Sequence, residues 1–416
     1  MYDGRTCVII RIKLLNLDLV KTAAQRIEGV AVKTPFALAP LLSVMSEAEV
    51  FLKKENLQIT GAFKLRGAFN KIASLSDEQR KQGVITASAG NHAQGVAFSA
   101  KHFNAHAVIV MPESTPLTKI NGVSSYGAEV VLAGGNYDEA YAYAREYAQT
   151  HDLVFVHPFE DEEVMAGQGT VALEMLGVRD DLDIVVIPMG GGGLISGVAV
   201  AIKAINPKIK VIGVSASGAP ALKRSFEQKT AIDTTAVRTI ADGIAVRDTS
   251  EVTLGYMLES VDEVVDVDDE EIANAILYLL EKQKLVVEGA GAVGVAALMH
   301  KKIADIKGKK VGVILSGGNI DVTMLSVIIE KGLLKSNRKM KLTVTLVDKP
   351  GSLMKLTELL KTLYANIVHI AYDRTSTTLD YGDAHVTIHL ETKGKEHQDE
   401  IRAVLLQHGY LSSEMK

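Results

Sequence analysis

Between about Glu49 and Glu330, short apolar and β-branched runs alternate with stretches of helical periodicity. The runs predict strands at Val50–Leu52, Val84–Ala87, Ala107–Met111, Glu129–Leu132, Leu153–Val156, Ile184–Ile187, Val211–Val214 and Val311–Leu315. Helical segments separate nearly all of them, as in Asn136 to Thr150 with its Tyr/Ala pattern. Alternation of this kind predicts parallel sheets with helices on both faces. The number of strands exceeds one comfortable sheet, so two α/β lobes are expected. Ligands in such sheets bind at the carboxyl ends of the strands.

Past Ser336 the pattern changes. Met340–Leu346 alternates as a strand, and Asp348-Lys349-Pro350-Gly351-Ser352 turns into a helix over Leu353–Leu363. Ile367–Tyr372 and Ala384–Leu390 alternate again, with Tyr381-Gly382-Asp383 turning between them. A helix over Glu396–Gln407 and a last strand complete a small ferredoxin-like unit. The expected division is a two-lobed region over residues 1–335 and this unit over 339–416.

Composition narrows the class. The chain has 416 residues, 47% hydrophobic and 23% charged, long enough for several cores and ordinary for a globular protein. A net charge of −5 speaks against nucleic acid as a partner. The single cysteine, Cys7, excludes an intramolecular disulfide and suits a reducing compartment. No run of 18 apolar residues is present, so no membrane helix is expected. Cys7-Val8-Ile9-Ile10 is too short for a signal segment, and a cytoplasmic protein is expected.

Four consecutive glycines, Gly190, Gly191, Gly192 and Gly193, follow the strand Ile184–Ile187 and precede the helical pattern from Leu194. A loop without side chains lets backbone N–H groups converge on an anion, and the helix N-terminus behind it adds a favourable dipole. A phosphate is the expected ligand. A Walker loop would continue with Lys and Ser/Thr, but Leu194 and Ile195 follow. A dinucleotide fold would place an acidic residue at the tip of the next strand, where Ser215 stands. A small phosphorylated cofactor fits better, and that directs attention to the lysines.

Lys64, in Thr60-Gly61-Ala62-Phe63-Lys64-Leu65-Arg66-Gly67, sits between apolar neighbours at a glycine-marked junction. Desolvation there lowers an amine's pKa and makes it nucleophilic toward a carbonyl. Thr86-Ala87-Ser88-Ala89-Gly90-Asn91-His92 follows a strand, and its small residues open a helix whose N–H groups suit a carboxylate. Ser316-Gly317-Gly318-Asn319 ends another strand, and Val286-Val287-Glu288-Gly289-Ala290-Gly291 brings one carboxylate among small residues.

In this order and spacing, the four loops resemble the fold-type II pyridoxal-phosphate enzymes (tryptophan synthase β-like), specifically the threonine dehydratases, or threonine ammonia-lyases. The resemblance runs from about Leu17 to Glu330 and includes Pro112–Lys119 and Ala241–Val246. The C-terminal segment resembles an ACT-type regulatory domain through Asn366-Ile367-Val368-His369-Ile370, Asp373-Arg374 and Leu390-Glu391-Thr392. The resemblance implies pyridoxal 5'-phosphate as cofactor, joined to Lys64 as a Schiff base. It implies that Gly190 to Leu194 cradle the phosphate, that Asn91 bonds the ring hydroxyl, and that Phe63 lies beside the ring. Ser88, Ala89, Gly90 and Asn91 would hold the substrate carboxylate. Ser316 would face the pyridine nitrogen, and Glu288 would lie near the site.

The implied reaction is β-elimination from L-threonine to 2-oxobutanoate and ammonia, with L-serine a second substrate. Lys64 would take the Cα proton. A neutral hydroxyl at Ser316 cannot keep the pyridine nitrogen protonated, which favours elimination over outcomes that need a long-lived carbanion. Ala62 replaces a serine common in relatives, removing one hydroxyl beside the lysine. Ser215 stands where some relatives place a cation-binding glutamate, so no metal is expected. An enzyme acting mainly on serine, as dehydratase or racemase, stays open, as does a role in isoleucine biosynthesis or in threonine breakdown. A cysteine-synthase-like enzyme and an inactive amino-acid sensor fit these loops less well. The resemblance further implies a homo-oligomer, dimer or tetramer, and an amino-acid effector, isoleucine or valine.

Overall fold

The computed structural model describes residues 14–410 and 412–413. Cys7 and the segment around it lie outside the described residues. By its contacts the chain divides into two compact units, one ending at Ile320 and one starting at Asp321.

The strands of the first unit are β1 (Phe36–Leu38), β2 (Glu49–Lys54), β3 (Val84–Ala87), β4 (Ala107–Met111), β5 (Glu129–Leu132), β6 (Val154–Phe155), β7 (Ile184–Pro188), β8 (Lys210–Ala216), β9 (Glu263–Val267) and β10 (Lys310–Leu315). They form a four-stranded sheet, β5-β4-β3-β6, and a six-stranded sheet, β1-β2-β10-β7-β8-β9. All neighbours are parallel except the β1–β2 pair. Every residue of β3, β4 and β7 is buried, the condition of parallel strands covered on both faces, which is why they read as unbroken apolar runs. Two strands escape the sequence pattern. β1 is three residues long and mostly exposed, and β9 is an edge strand only half-buried. Neither carries the apolar run that burial demands.

The smaller sheet has a separate core on each face, one around Ile109, Met111 and Val96 and one around Val108, Val110 and Ala144. The larger sheet packs helices such as Gly193–Ile205 and Glu162–Val178 onto Val185, Ile187 and Val211. These are two lobes, each closed by its own apolar contacts.

Strand order decides where the chemistry lies. β2, β10 and β7 are neighbours, so the segments leaving their carboxyl ends lie side by side: 58–63, 316–319 and 189–193. In the smaller sheet β3 and β6 are neighbours, and they carry 88–90 and 156–161 at the same ends. Glu288 is different. It precedes the helix Gly289–Met299 and follows a helical turn, not a strand.

The second unit holds β11 (Lys339–Val347), β12 (Asn366–Asp373), β13 (Asp383–Glu391) and β14 (Ser412–Ser413) in the antiparallel order β12-β13-β11-β14. Alternate residues Met340, Leu342, Val344 and Leu346 of β11 and Val386, Ile388 and Leu390 of β13 are buried. They meet Leu356 and Leu360 of the helix Ser352–Thr362 and Ile401 and Leu405 of the helix Lys395–Gln407. This is the two-layer arrangement the alternation predicts. The helix Val322–Lys335 precedes β11 and belongs to this unit by its contacts.

Candidate active site

Lys64 is the first residue of the helix Lys64–Ser74, with Phe63 at the cap position just before it. Two contacts seat this start against the end of β10. Phe63 N–H donates to the Ser316 carbonyl at 3.0 Å, and Gly318 N–H donates to the Gly61 carbonyl at 2.8 Å. Ala62 and Gly317 pair between them as an isolated antiparallel bridge. The helix itself is fixed from below by Arg66, which is fully buried. Its guanidinium donates to Glu55 at 2.8 and 2.9 Å and to Glu174 at 2.7 and 2.9 Å, with Thr170 and the Val32 carbonyl taking further donors. Buried Lys53 pairs with the same two carboxylates, so two cations balance two anions. Removing one member of such a set leaves an uncompensated buried charge, at a cost of about 3–5 kcal/mol.

Part of Lys64 stays open to the site, but its amine lies deep. Burial lowers it from the ordinary lysine range to about 8, with the nearby Glu288 charge opposing the shift. Nζ donates to the Pro158 carbonyl at 2.8 Å and lies 5.4 Å from the centre of the Phe63 ring.

The next residue, Phe159, links this lysine to the glycine loop. A Cβ on Gly191 would collide with the Phe159 ring, and one on Gly193 would come 2.8 Å from Phe159 Cβ. A Cβ on Gly190 would meet the Ile244 backbone at 2.7 Å. Gly192 has φ +88°, and a Cβ there would meet Thr253 Oγ1 at 2.6 Å. Thr253 Oγ1 donates to the Gly191 carbonyl at 2.9 Å and fixes the loop from behind. Four glycines are needed because the backbone is sandwiched between Phe159, Ile244 and Thr253. The helix Gly193–Ile205 starts here with no side chain capping it, and Leu194 is buried in its first turn. Its first N–H groups are the donors a phosphate needs, so the residues present fit such a group.

On the other side, Ser88, Ala89 and Gly90 leave β3, and Asn91 opens the helix Asn91–His102, again without a side-chain cap. Gly90 N–H donates to Ser88 Oγ at 3.2 Å. Asn91 Nδ2 donates to Glu288 Oε1 at 2.8 Å, and Asn91 Oδ1 accepts from Asn319 Nδ2 at 2.7 Å. Glu288 is buried, and burial raises its carboxyl to about 7. Asp242 adds to that shift, while Asn91, the Asn319 backbone N–H and Lys119 oppose it. Ser316 is buried at the end of β10. Ser215 lies within β8, not at its tip, because that strand runs on to Ala216.

The structure thus bonds Phe63 to Ser316 and Asn91 to Glu288, links the two pairs through Gly317 and Asn319, and joins Gly190–Gly193 to Lys64 through Pro158 and Phe159. Several participants carry no sequence signal. A carbonyl such as that of Pro158 has no residue-type signature, and neither does a packing phenylalanine. His92 and His157 were equally hidden. Burial, reinforced by the Lys64 charge, lowers them to about 3 and about 4, so both imidazoles beside the site are neutral. His157 Nδ1 accepts from the Glu160 N–H at 2.7 Å, and the His92 ring bonds the Val156 carbonyl at 3.0 Å. Among the described residues no cluster of metal-ligating side chains is present, and no helix is long and apolar enough to cross a membrane.

Comparison with known proteins agrees with this geometry. Residues 27–317 match the family described as pyridoxal-phosphate dependent enzyme. The chain is 47% identical over 397 residues to an L-threonine ammonia-lyase of Thermotoga maritima, covering 95% of this chain and 98% of that protein. Among solved structures it resembles the processed form of threonine deaminase isoform 2 from Solanum lycopersicum, with TM-score 0.73, 38% identity and coverage of 76% and 87%. It also resembles maize serine racemase, with TM-score 0.73, 34% identity and coverage of 78% and 100%. The chain belongs to the pyridoxal-phosphate dependent enzymes of fold type II, and within them to the group that contains the L-threonine ammonia-lyases.

Proposed function

We propose that the protein eliminates water from L-threonine to give, after hydrolysis, 2-oxobutanoate and ammonia, and that it also accepts L-serine. The observation that carries this is Lys64: a lysine amine lowered to about 8 by burial, at a helix start shared with Ser316 and one residue's reach from the glycine loop. Similarity to the Thermotoga protein over nearly the whole of both chains supports threonine as substrate, and the likeness to maize serine racemase supports serine.

Pyridoxal 5'-phosphate, when bound, supplies an electron sink for the bond broken at Cα. The chain supplies the rest. Gly190 to Leu194 hold the phosphate with backbone N–H groups, and Lys64 anchors the aldehyde end. Phe63 would lie beside the ring and Asn91 would bond the ring hydroxyl. Ser88, Ala89, Gly90 and Asn91 form an uncapped helix start that binds the substrate carboxylate. The Lys64 amine would take the Cα proton of the substrate; an amine near 8 is neutral often enough to do so close to neutral pH. Ser316 would stand at the pyridine nitrogen with a neutral hydroxyl, which would favour loss of the β-hydroxyl over outcomes that need long-lived charge at Cα.

The C-terminal unit is the regulatory part, with the ACT-type domain over 339–416 and the helix Val322–Lys335 leading into it from the catalytic region. The helix Ser352–Thr362 begins at Gly351, φ +88°, without a side-chain cap, which suits an effector carboxylate. Isoleucine or valine is the effector, coupling to the site by about 1–3 kcal/mol. The protein acts in the cytoplasm as a homo-oligomer, dimer or tetramer. Threonine-dependent 2-oxoacid production, measured with and without isoleucine and valine and then repeated on a chain truncated after Ser336, tests the whole reading. The truncated chain should still eliminate but no longer respond. No 2-oxoacid from either threonine or serine would refute the activity, and a full effector response after truncation would refute the division of labour.

A further inference from the structure

Glu288 is the buried carboxyl of the site, and the reaction above leaves it without a task. It stands at the cap position of the helix Gly289–Met299, yet its side chain makes no capping bond there. It turns instead into the site, where two glycines make room for it. A Cβ on Gly317 would collide with its Oε1, and a Cβ on Gly243 would lie 3.3 Å from the same atom. Its partner is the Asn91 amide at 2.8 Å.

The hydrogen bonds around Asn91 run in one direction only. Asn319 Nδ2 donates to the Thr60 carbonyl at 2.8 Å, which settles which way round the Asn319 amide lies. The same nitrogen donates to Asn91 Oδ1 at 2.7 Å. Reversing Asn91 would set its NH2 against that of Asn319 and its oxygen against the Glu288 carboxylate. Asn91 is therefore held at both ends, with one amide hydrogen uncommitted.

We propose that Glu288 is a positioning residue for the cofactor: together with Asn319 it locks the Asn91 amide so that the remaining hydrogen is the donor offered to the ring hydroxyl. This rests on the placement of Asn91 beside the ring argued above. It gives the lock a pH dependence. The charged groups facing Glu288 are Asp242, Lys119, which pairs with Asp242 at 3.3 Å, and Lys64; Asn91 and the Asn319 backbone N–H supply the hydrogen bonds. With the carboxyl at about 7, its bond to Asn91 is charge-assisted on the alkaline side and neutral on the acid side.

The test titrates cofactor-free protein with pyridoxal 5'-phosphate, followed by the cofactor's absorbance, one pH unit above and one below that value. Wild type and Glu288→Gln are compared at the same pH, which cancels the cofactor's own ionisation. On the alkaline side Glu288→Gln, which keeps an accepting oxygen but no charge, should bind about tenfold more weakly than wild type, and on the acid side equally well. In an Asn91→Ala background Glu288→Gln should change nothing further. Asn319→Ala, at the exposed end of the chain of bonds, should weaken binding without touching the buried carboxyl. An equal deficit on both sides of the pH range, or a full Glu288→Gln effect in the Asn91→Ala background, would overturn the proposal. Wild-type affinity and absorbance in Asn91→Ala alone would instead overturn the placement of Asn91, and the lock with it.

Discussion

Replacing Gly192 by alanine tests the glycine loop most sharply, because two separable penalties meet there. The first is conformational: φ is +88°, a region where a Cβ costs about 1–2 kcal/mol. The second is contact. The new methyl would sit 2.6 Å from Thr253 Oγ1 and 2.7 Å from Thr253 Cβ, so Thr253 must move and give up its bond to the Gly191 carbonyl. That bond contributes about 1 kcal/mol. The total is about 2–3 kcal/mol, or roughly 30- to 160-fold if it falls on phosphate binding. Gly127 is the control. Its φ is +85° but nothing lies within 4 Å of a Cβ there, so Gly127→Ala carries the strain alone. Denaturant unfolding of both cofactor-free variants and their affinity for pyridoxal 5'-phosphate should therefore diverge. Both lose stability, and only Gly192→Ala loses cofactor. Gly192→Ala binding within about twofold of wild type would show that the loop does not hold the phosphate, since a loss of roughly 30-fold or more is expected if it does.

Borohydride reduction should fix the cofactor covalently on Lys64, read by peptide mass mapping, and label on any other lysine would refute the anchor. In cofactor-free protein, the folded state sheds the Lys64 proton at about 8 while the unfolded chain keeps it to the ordinary lysine value of 10.5. Between these values the unfolded chain binds more protons, so wild-type stability should rise with pH relative to Lys64→Met, and the two should change in parallel below about 8. Parallel unfolding curves across the whole range would mean that the amine is not desolvated. Ser316→Asp places a carboxylate in a buried position and should protonate the pyridine nitrogen. Elimination from L-serine to pyruvate should slow while D-serine, followed by chiral chromatography, or 3-hydroxypyruvate formed by transamination gains, and unchanged partitioning would move Ser316 away from the ring.

The sequence by itself determined the parallel strands of both lobes, because burial on both faces demands the unbroken apolar runs of β3, β4 and β7. It determined the four-stranded C-terminal layout in the same way, through strict alternation in β11 and β13. The loops that carry Lys64, Asn91, the glycines and Ser316 were legible as well, since their residue types are unusual for plain turns. It missed β1 and β9, whose exposure removes the apolar signal.

Only the tertiary structure decided which loops meet. Strand order puts β2, β10 and β7 side by side, a matter of long-range pairing that no local pattern encodes. The same holds for the Pro158 carbonyl on Lys64 and for Phe159 and Thr253 against the glycines, where contact is set by shape, not by residue type. Protonation belongs to this second class. Lys64 at about 8 and Glu288 at about 7 depart from ordinary values because folding removes their water and selects their neighbours, and neither effect exists until distant segments have packed together.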